Sequence, residues 1–468
     1  MTAPRLSTAA ASLSTAAVLL STLFASPAAA GPDPAIDAHP AAPSSTSSAP
    51  PAAANGRFVV KFKSGTAGTA SARGNAYGQA ARAAGVSVKE LHTTARGAAV
   101  VRTASALTAG ESAKVLASLR SQSNVEYAEP DTFVRQASTP NDPLFPKQWD
   151  LSEDTGGMRV PAAWDMSSGQ GVVVAVIDTG ITAHSDLPNV LPGYDFISDS
   201  TMSNDGDGRD GDATDAGDYC NGSSSSWHGT HVAGTIGAAA NNGIGIAGVA
   251  YSAKILPVRA LGACGGYLSD IADAVVWASG GTVSGVPAAT SRAKVINMSL
   301  GGAGQCGSYF QSALDFAAAQ GVTVVAAAGN SNAPAAGSTP GNCNNIITVG
   351  ATGREGSRSY YSNYGPEVDV SAPGGDGSTG GANTILSTLN DGTTTPGAET
   401  YGYMQGTSMA APHVAGAAAL IMSANPDLTP ADVEAILKQT ARPLPGSCDT
   451  GGCGAGLVDA AAAVRVAQ

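Results

Sequence analysis

Five short runs that are almost wholly apolar, at 172–177, 255–258, 295–300, 322–328 and 346–349, constrain this chain more than any other feature. None alternates apolar with polar residues, so none reads as a strand with one wet face. Strands buried on both faces look like this, and helical stretches lie between several of the runs. Together they point to a parallel sheet covered on both sides. The expected fold from about residue 142 onward is therefore α/β, a doubly wound, mostly parallel sheet with helices on both faces. Such a sheet places its chemistry beyond the carboxyl ends of its strands. Asp178 directly follows the first run, and Asn330 follows the fourth. Further on, Thr429 and Pro430 make a helix start, and Val433, Ile436 and Leu437 form one apolar face of that helix.

The first 136 residues are of another kind. Arg5, the apolar stretch 16–24 and Ala28-Ala29-Ala30 have the form of an export signal, so 1–30 reads as a signal peptide. The Ala-, Pro- and Ser-rich segment 31–55 cannot form a core and reads as a disordered linker. Residues 56–136 follow the pattern strand (58–62), helix (75–84), strand (98–102), helix (109–121), strand (125–130), a small α+β domain. Thr108 and Glu111 have capping-box spacing at the second helix. The net charge of −12 is divided unevenly. Residues 56–136 hold 11 Lys+Arg against 5 Asp+Glu, a net of +6, and 137–468 hold 12 against 29, a net of −17. A basic segment ahead of an acidic body suggests that the two associate. Composition gives no support to a nucleic-acid partner, and no later segment is apolar and long enough for a membrane anchor. The expectation is a secreted, extracellular monomer.

All six cysteines, Cys220, Cys264, Cys306, Cys343, Cys448 and Cys453, lie in the acidic body. An even number in an exported chain points to disulfides rather than metal binding. The simplest pairing joins neighbours, and Cys448–Cys453, closing a Gly-rich loop, is the firmest of the three.

Three strings carry the chemistry: V-I-D-T-G around Asp178, H-G-T-H around His228 and G-T-S-M-A around Ser408. They supply an acid, a base and a nucleophile. A serine hydroxyl needs an adjacent base, histidine fits that task with its ordinary pKa near 6.5, and a carboxylate orients the imidazolium. Ser408 and His228 each open a helical stretch. At a helix start the backbone N–H of Ser408 favours negative charge, and Asn330 in A-A-A-G-N offers a second donor for an oxyanion. Singly, each string has a plain reading as a cap or turn; it is their joint occurrence, in this order, that carries weight. His228 and His231 lack the spacing and the glutamate of a zinc protease, and the G-x-S-x-G elbow of esterases is absent. A silent binding protein on the same scaffold implies damage at one of the four positions, and none is damaged.

V-I-D-T-G-I, H-G-T-H-V-A-G-T, A-A-A-G-N and G-T-S-M-A-A-P-H-V-A-G closely resemble the subtilisin-like serine protease family over about 142–466. The resemblance implies a serine endopeptidase that hydrolyses peptide bonds in proteins and peptides. It also implies that 56–136 is an inhibitor-type, ferredoxin-like propeptide, an intramolecular inhibitor removed by self-cleavage between about Asp131 and Pro140. By the same resemblance, Ser299, Leu300 and Gly301 form a substrate-binding edge. Ala326, Ala327 and Ala328 wall the primary specificity pocket, whose small uncharged lining suits an apolar or aromatic residue before the scissile bond. T-P-N-D-P-L-F resembles the start of thermitase-like members. That implies a structural calcium ion on Asp142, Asp186, the Asn242 side chain and backbone oxygens near Ala239, Ile244 and Ile246. A second calcium site is expected in the acidic run holding Asp205, Asp207, Asp210, Asp212, Asp215 and Asp218, because so many carboxylates so close together repel one another without a cation.

Overall fold

The structure is a computed structural model that describes residues 56–63, 69–105, 107–131, 139–448 and 451–468. The signal peptide, the linker and most of the expected cleavage interval lie outside the described residues. Residues 56–131 form a four-stranded antiparallel sheet of β1 (Arg57–Phe62), β2 (Val88–Thr93), β3 (Ala99–Thr103) and β4 (Val125–Pro130), in the order β2-β3-β1-β4. Helices Ala70–Ala84 and Ala109–Arg120 complete a βαββαβ, ferredoxin-like unit. Alternation makes its core: Phe58, Val60 and Phe62 of β1 point inward onto Tyr77, Ala80, Val115 and Leu119. The capping box is formed, with the Glu111 N–H donating to Thr108 Oγ1 at 3.2 Å and the Thr108 N–H donating back to Glu111 Oε2 at 2.8 Å. β2 is an additional strand that the sequence pattern does not announce. It lies at a sheet edge, and V-K-E-L-H-T buries none of its residues fully.

The acidic body is built on seven parallel strands: β5 (Val173–Asp178), β6 (Tyr194–Asp195), β7 (Lys254–Arg259), β8 (Val295–Met298), β10 (Thr323–Ala327), β12 (Ile347–Thr352) and β13 (Val370–Pro373). Their order is β13-β12-β10-β8-β5-β7-β6. Each strand serves two cores. Val174 and Val176 of β5 face one, while Ala175 and Ile177 face the other, and β10 divides Val325 and Ala327 from Val324 and Ala326 in the same way. Each Val or Ile side chain among these contributes about 1.5–3 kcal/mol on burial. The first core takes helices His228–Gly237, Thr407–Ala424 and Ala460–Ala467; the second takes Leu268–Ala278 and Ser308–Ala319. Outside the sheet, β9 (Gly302–Ala303) pairs with β11 (Ser338–Thr339), and β14 (Ile385–Asn390) with β15 (Glu399–Met404) forms a hairpin. Disulfides join Cys220 to Cys264, Cys306 to Cys343 and Cys448 to Cys453.

The Thr407–Ala424 helix is apolar all round and buried from Met409 to Met422, with Ser408 half-buried in its first turn. Pro412 lies inside this helix, and its missing N–H would have bonded the carbonyl of Ser408. The Ser299 hydroxyl takes that role, donating to the Ser408 carbonyl at 2.7 Å. A second fastening runs through His413. Its Nδ1 lies 2.7 Å from the Met409 carbonyl, and its Nε2 lies 2.9 Å from Asp150 Oδ2, with both side chains buried. A carbonyl only accepts, so Nδ1 carries a proton, and Asp150 tethers segment 149–152 to the helix at Nε2.

Candidate active site

Asp178 ends β5, fully buried, and its Oδ1 lies 2.8 Å from His228 Nδ1. The Thr179 N–H donates to the same oxygen at 2.8 Å. With a proton on Nδ1 facing the carboxylate, Nε2 is left as the basic atom of a ring that is partly open to solvent. Burial opposes a charge on His228, but the Asp178 carboxylate, aided by Asp218 and Asp215, holds its pKa above the ordinary value. His228 opens its helix against the exit of β5. An added Cβ at Gly229 would sit 2.1 Å from the Gly180 carbonyl, so glycine alone allows that approach.

The start of the helix is fastened by two acidic residues. Asp218 accepts from the Ser226 N–H and Oγ–H, both at 2.6 Å, and Ser226 Oγ accepts from the His228 N–H at 3.3 Å. Thr179 Oγ1 accepts from the Gly229 N–H at 3.0 Å and donates to buried Asp215 at 2.6 Å. Sequence reasoning missed this role, since nothing in the acidic run marks which carboxylates will reach the helix.

Asn330 follows β10 and is exposed. Its Oδ1 accepts from both the N–H and the hydroxyl of Thr407, each at 2.8 Å, and Nδ2 has no hydrogen-bond partner among the described residues. A Cβ built on Gly406 would lie 3.5 Å from Asn330 Nδ2 and 3.6 Å from the Ser408 backbone N. Two N–H donors thus border one small space beside the start of the Ser408 helix. The helices bearing His228 and Ser408 pack against each other. The Ser408 hydroxyl makes no hydrogen bond among the described residues, so the structure joins Asp178 to His228 and Asn330 to the Ser408 turn, without a bond from His228 to Ser408.

The other expected site residues divide. Gly301 is exposed beside β9, whereas Ser299 and Leu300 are buried and the Ser299 hydroxyl is committed to the helix. The side chains of Ala326, Ala327 and Ala328 do not form a shared wall. Strand alternation sends Ala326 and Ala327 into opposite cores, and Ala328 packs with Ala335 and Val368.

At the first calcium set, Asp142 and Asp186 are both buried and converge on the loop 241–246. Asp142 accepts from the N–H groups of Asn241 and Asn242 at 2.8 and 3.2 Å. Asp186 accepts from the Ile246 N–H at 2.9 Å, the Asn242 amide at 2.7 Å and the Tyr401 hydroxyl at 3.1 Å. Burial pushes the Asp186 carboxyl above its ordinary pKa. Neither carboxylate has an ion pair with Lys or Arg among the described residues. The two carboxylates are oxygen ligands of the kind calcium takes, while four of the five groups bonded to them are N–H donors and the fifth is a hydroxyl.

The acidic run does not converge in this way. Asp205 pairs with buried Arg259 at 2.5 Å, Asp210 and Asp212 each accept the N–H two residues on, Asp207 is exposed, and Asp215 and Asp218 serve the His228 helix. No cluster of three metal-ligating residues occurs among the described residues.

Comparison with protein families matches the Subtilase family, peptidase S8, over residues 169–456, and the Fervidolysin N-terminal prodomain over 40–131. An extracellular protease of Xanthomonas campestris is 50% identical over 430 residues, covering 88% of this chain and 73% of that protein. An extracellular basic protease of Dichelobacter nodosus is 42% identical over 432 residues, covering 87% and 70%. Among solved structures, a protease from Pseudoalteromonas arctica matches with a TM-score of 0.69 and 56% identity, covering 71% of this chain and 100% of that one.

Proposed function

The chain belongs to the subtilase family of serine endopeptidases, and from that premise we propose that Ser408 is its nucleophile, His228 its general base and then acid, and Asp178 the carboxylate that orients His228. Asn330 Nδ2 and the Ser408 N–H hold the developing oxyanion. The observation that carries this reading is the buried Asp178 carboxylate 2.8 Å from His228 Nδ1, which fixes the tautomer that leaves Nε2 free to take a proton.

The substrate is an extended segment of protein chain, paired along the Gly301 edge by strand addition. The residue before the scissile bond is apolar or aromatic, because segments 299–305 and 326–345 hold no acidic residue to attract a basic one. The enzyme is secreted, as the names of its relatives and the export signal both suggest. Residues 56–136 act as a propeptide that blocks the site until self-cleavage, supported by the prodomain match and by the opposed net charges. Asp142, Asp186, the Asn242 side chain and the carbonyls of Ala239, Ile244 and Ile246 would hold calcium. A calcium ion held there would offset the charge of two buried carboxylates, and Asp142 and Asp186 would fasten the loop 241–246 through it.

The test pairs casein hydrolysis with processing. A serine-directed covalent inhibitor abolishes hydrolysis and a brief zinc chelation leaves it intact, while purified Ser408→Ala protein keeps 56–136 attached. Efficient self-processing by the Ser408→Ala chain alone would refute the zymogen reading.

A further inference from the structure

The residue that precedes His228 is Trp227, and its backbone sits in the left-handed region at φ 54°, ψ 33°. Glycine and asparagine enter that region readily; a bulky aromatic there is an outlier. Such strain persists only where the surroundings over-determine it, and it gathers at functional sites. Here the surroundings can be named. The indole is 2% exposed, and its Nε1–H donates to the Gly392 carbonyl at 2.7 Å. Gly392 lies in the tip that joins β14 to β15. Asn390 Oδ1 fastens that tip by accepting from the N–H groups of Gly392 and Gly397 at 2.9 and 2.7 Å. The tip also grips the chain two residues before the indole. The Ser225 N–H and hydroxyl donate to the Thr393 and Thr394 carbonyls at 2.8 and 2.9 Å.

We propose that Trp227 is a positioning residue for the general base: the hairpin tip holds the indole, the indole holds residue 227 in its left-handed turn, and that turn sets the angle at which His228 meets Asp178. The proposal rests on the reading of His228 as base. A residue that merely fills space requires neither a polar anchor nor a strained backbone, and Trp227 has both. The charged groups acting on His228 are Asp178, Asp218 and Asp215, and none of them bonds the indole. Trp227 therefore acts on His228 through the backbone. A reacting group misplaced by about 1 Å can lose on the order of 10²-fold in rate.

The experiment uses the mature enzyme with active sites counted by a burst titrant, and kcat and KM measured on a peptide nitroanilide. Trp227→Phe keeps the ring and loses the Nε1–H. Trp227→Gly suits the left-handed turn and loses the anchor altogether. Asn390→Ala loosens the tip without touching the helix. Per titrated site, kcat is expected to fall about tenfold or more in Trp227→Gly and less in Trp227→Phe, with KM within about threefold of the parent. Asn390→Ala is expected to lower kcat severalfold, and combined with Trp227→Phe to add little, since both act through the bond to Gly392. Parental kcat per site in both Trp227 variants overturns the proposal, and so does a fully additive double variant. Where Trp227→Gly fails to fold, Trp227→Phe and the cycle with Asn390→Ala decide. His228→Ala is the separate control. Retained kcat there refutes the base assignment itself, whereas an inactive His228→Ala beside fully active Trp227 variants refutes only the positioning role.

Discussion

Acid stability turns on a histidine that does no chemistry. His231, the second histidine of H-G-T-H, is fully buried, and its Nε2 lies 3.0 Å from the Ile385 carbonyl and 3.2 Å from the Gly402 carbonyl. Carbonyls only accept, so Nε2 carries the proton and Nδ1 a lone pair. Nδ1 is buried with no partner among the described residues, and protonating it would create a buried cation whose N–H finds no acceptor there. Burial, and then the nearby His228, push its pKa down to about 3. In the unfolded chain it titrates near 6.5. Between those values the unfolded state binds a proton that the folded state refuses. The stability is therefore fully present above about pH 6.5 and is lost as pH falls, by up to about 1.4 kcal/mol per pH unit and approaching roughly 5 kcal/mol near pH 3. His231→Gln keeps an amide N–H for the hairpin carbonyls and cannot titrate. Urea unfolding of the mature enzyme, blocked with a serine-directed inhibitor to prevent autolysis, measures both forms from pH 8 to pH 4. The variant is expected to be less stable at pH 8, yet to lose stability more slowly on acidification, the difference approaching one proton's worth of slope. Carboxylates titrate in both forms and cancel in the comparison. Parallel curves would show that His231 does not resist protonation, and the reasoning would fail.

Asp150→Ala leaves the Nε2 of buried His413 without its hydrogen-bond partner, which costs about 1–3 kcal/mol and should lower the Tm of the blocked enzyme by roughly 2–8 °C; an unchanged Tm contradicts the tether. Asn330→Ala should reduce kcat about 10²–10³-fold with KM nearly unchanged, the size of loss recorded for an oxyanion-hole asparagine in a subtilisin, and a loss confined to KM would mean that Asn330 only binds substrate. Because Asp178 raises the pKa of His228 and the base must be neutral, kcat/KM should rise with pH through a value above the ordinary 6.5. A limb below that value would place the base elsewhere. Excess calcium chelator should lower Tm by removing a ligand that binds only the folded state; an unchanged Tm argues against calcium on Asp142 and Asp186.

Features whose physics is local could be read from the sequence. A strand buried on both faces has its own signature, so the parallel sheet and the strand-end positions of Asp178 and Asn330 were visible in the apolar runs. Caps were equally plain, as at Thr108 with Glu111 and at Thr429 with Asp432, where both boxes are formed. β2 was not visible, because an edge strand whose inner face is only half-buried, with Val88 and Glu90 on it, carries too weak a hydrophobic pattern. In A-A-A at 326–328, Ala326 and Ala327 are consecutive in β10 and send their side chains to opposite cores, and nothing local in the sequence marks which of these residues borders a pocket. The role of Ser299 was hidden for a different reason. Its partner, the Ser408 carbonyl, is free only because Pro412 lacks an N–H, and the two serines are brought together by the fold alone.

The acidic run shows where sequence proximity misleads. Six carboxylates in a short stretch repel one another, and that much is legible, but repulsion says nothing about what relieves it. Here Arg259, some fifty residues away, pairs with Asp205, and four of the carboxylates accept the N–H two residues further along the chain. Asp215 and Asp218 are spent on the threonine and serine that hold the His228 helix. Asp142 and Asp186 are far apart in sequence, so they show no local charge density. Yet they are the acids that meet on one loop with no cationic side chain bonded to them among the described residues. Charge crowding along a chain therefore measures only a cost. Whether a metal ion, an arginine or a row of backbone N–H groups offsets that cost is decided by contacts across the fold.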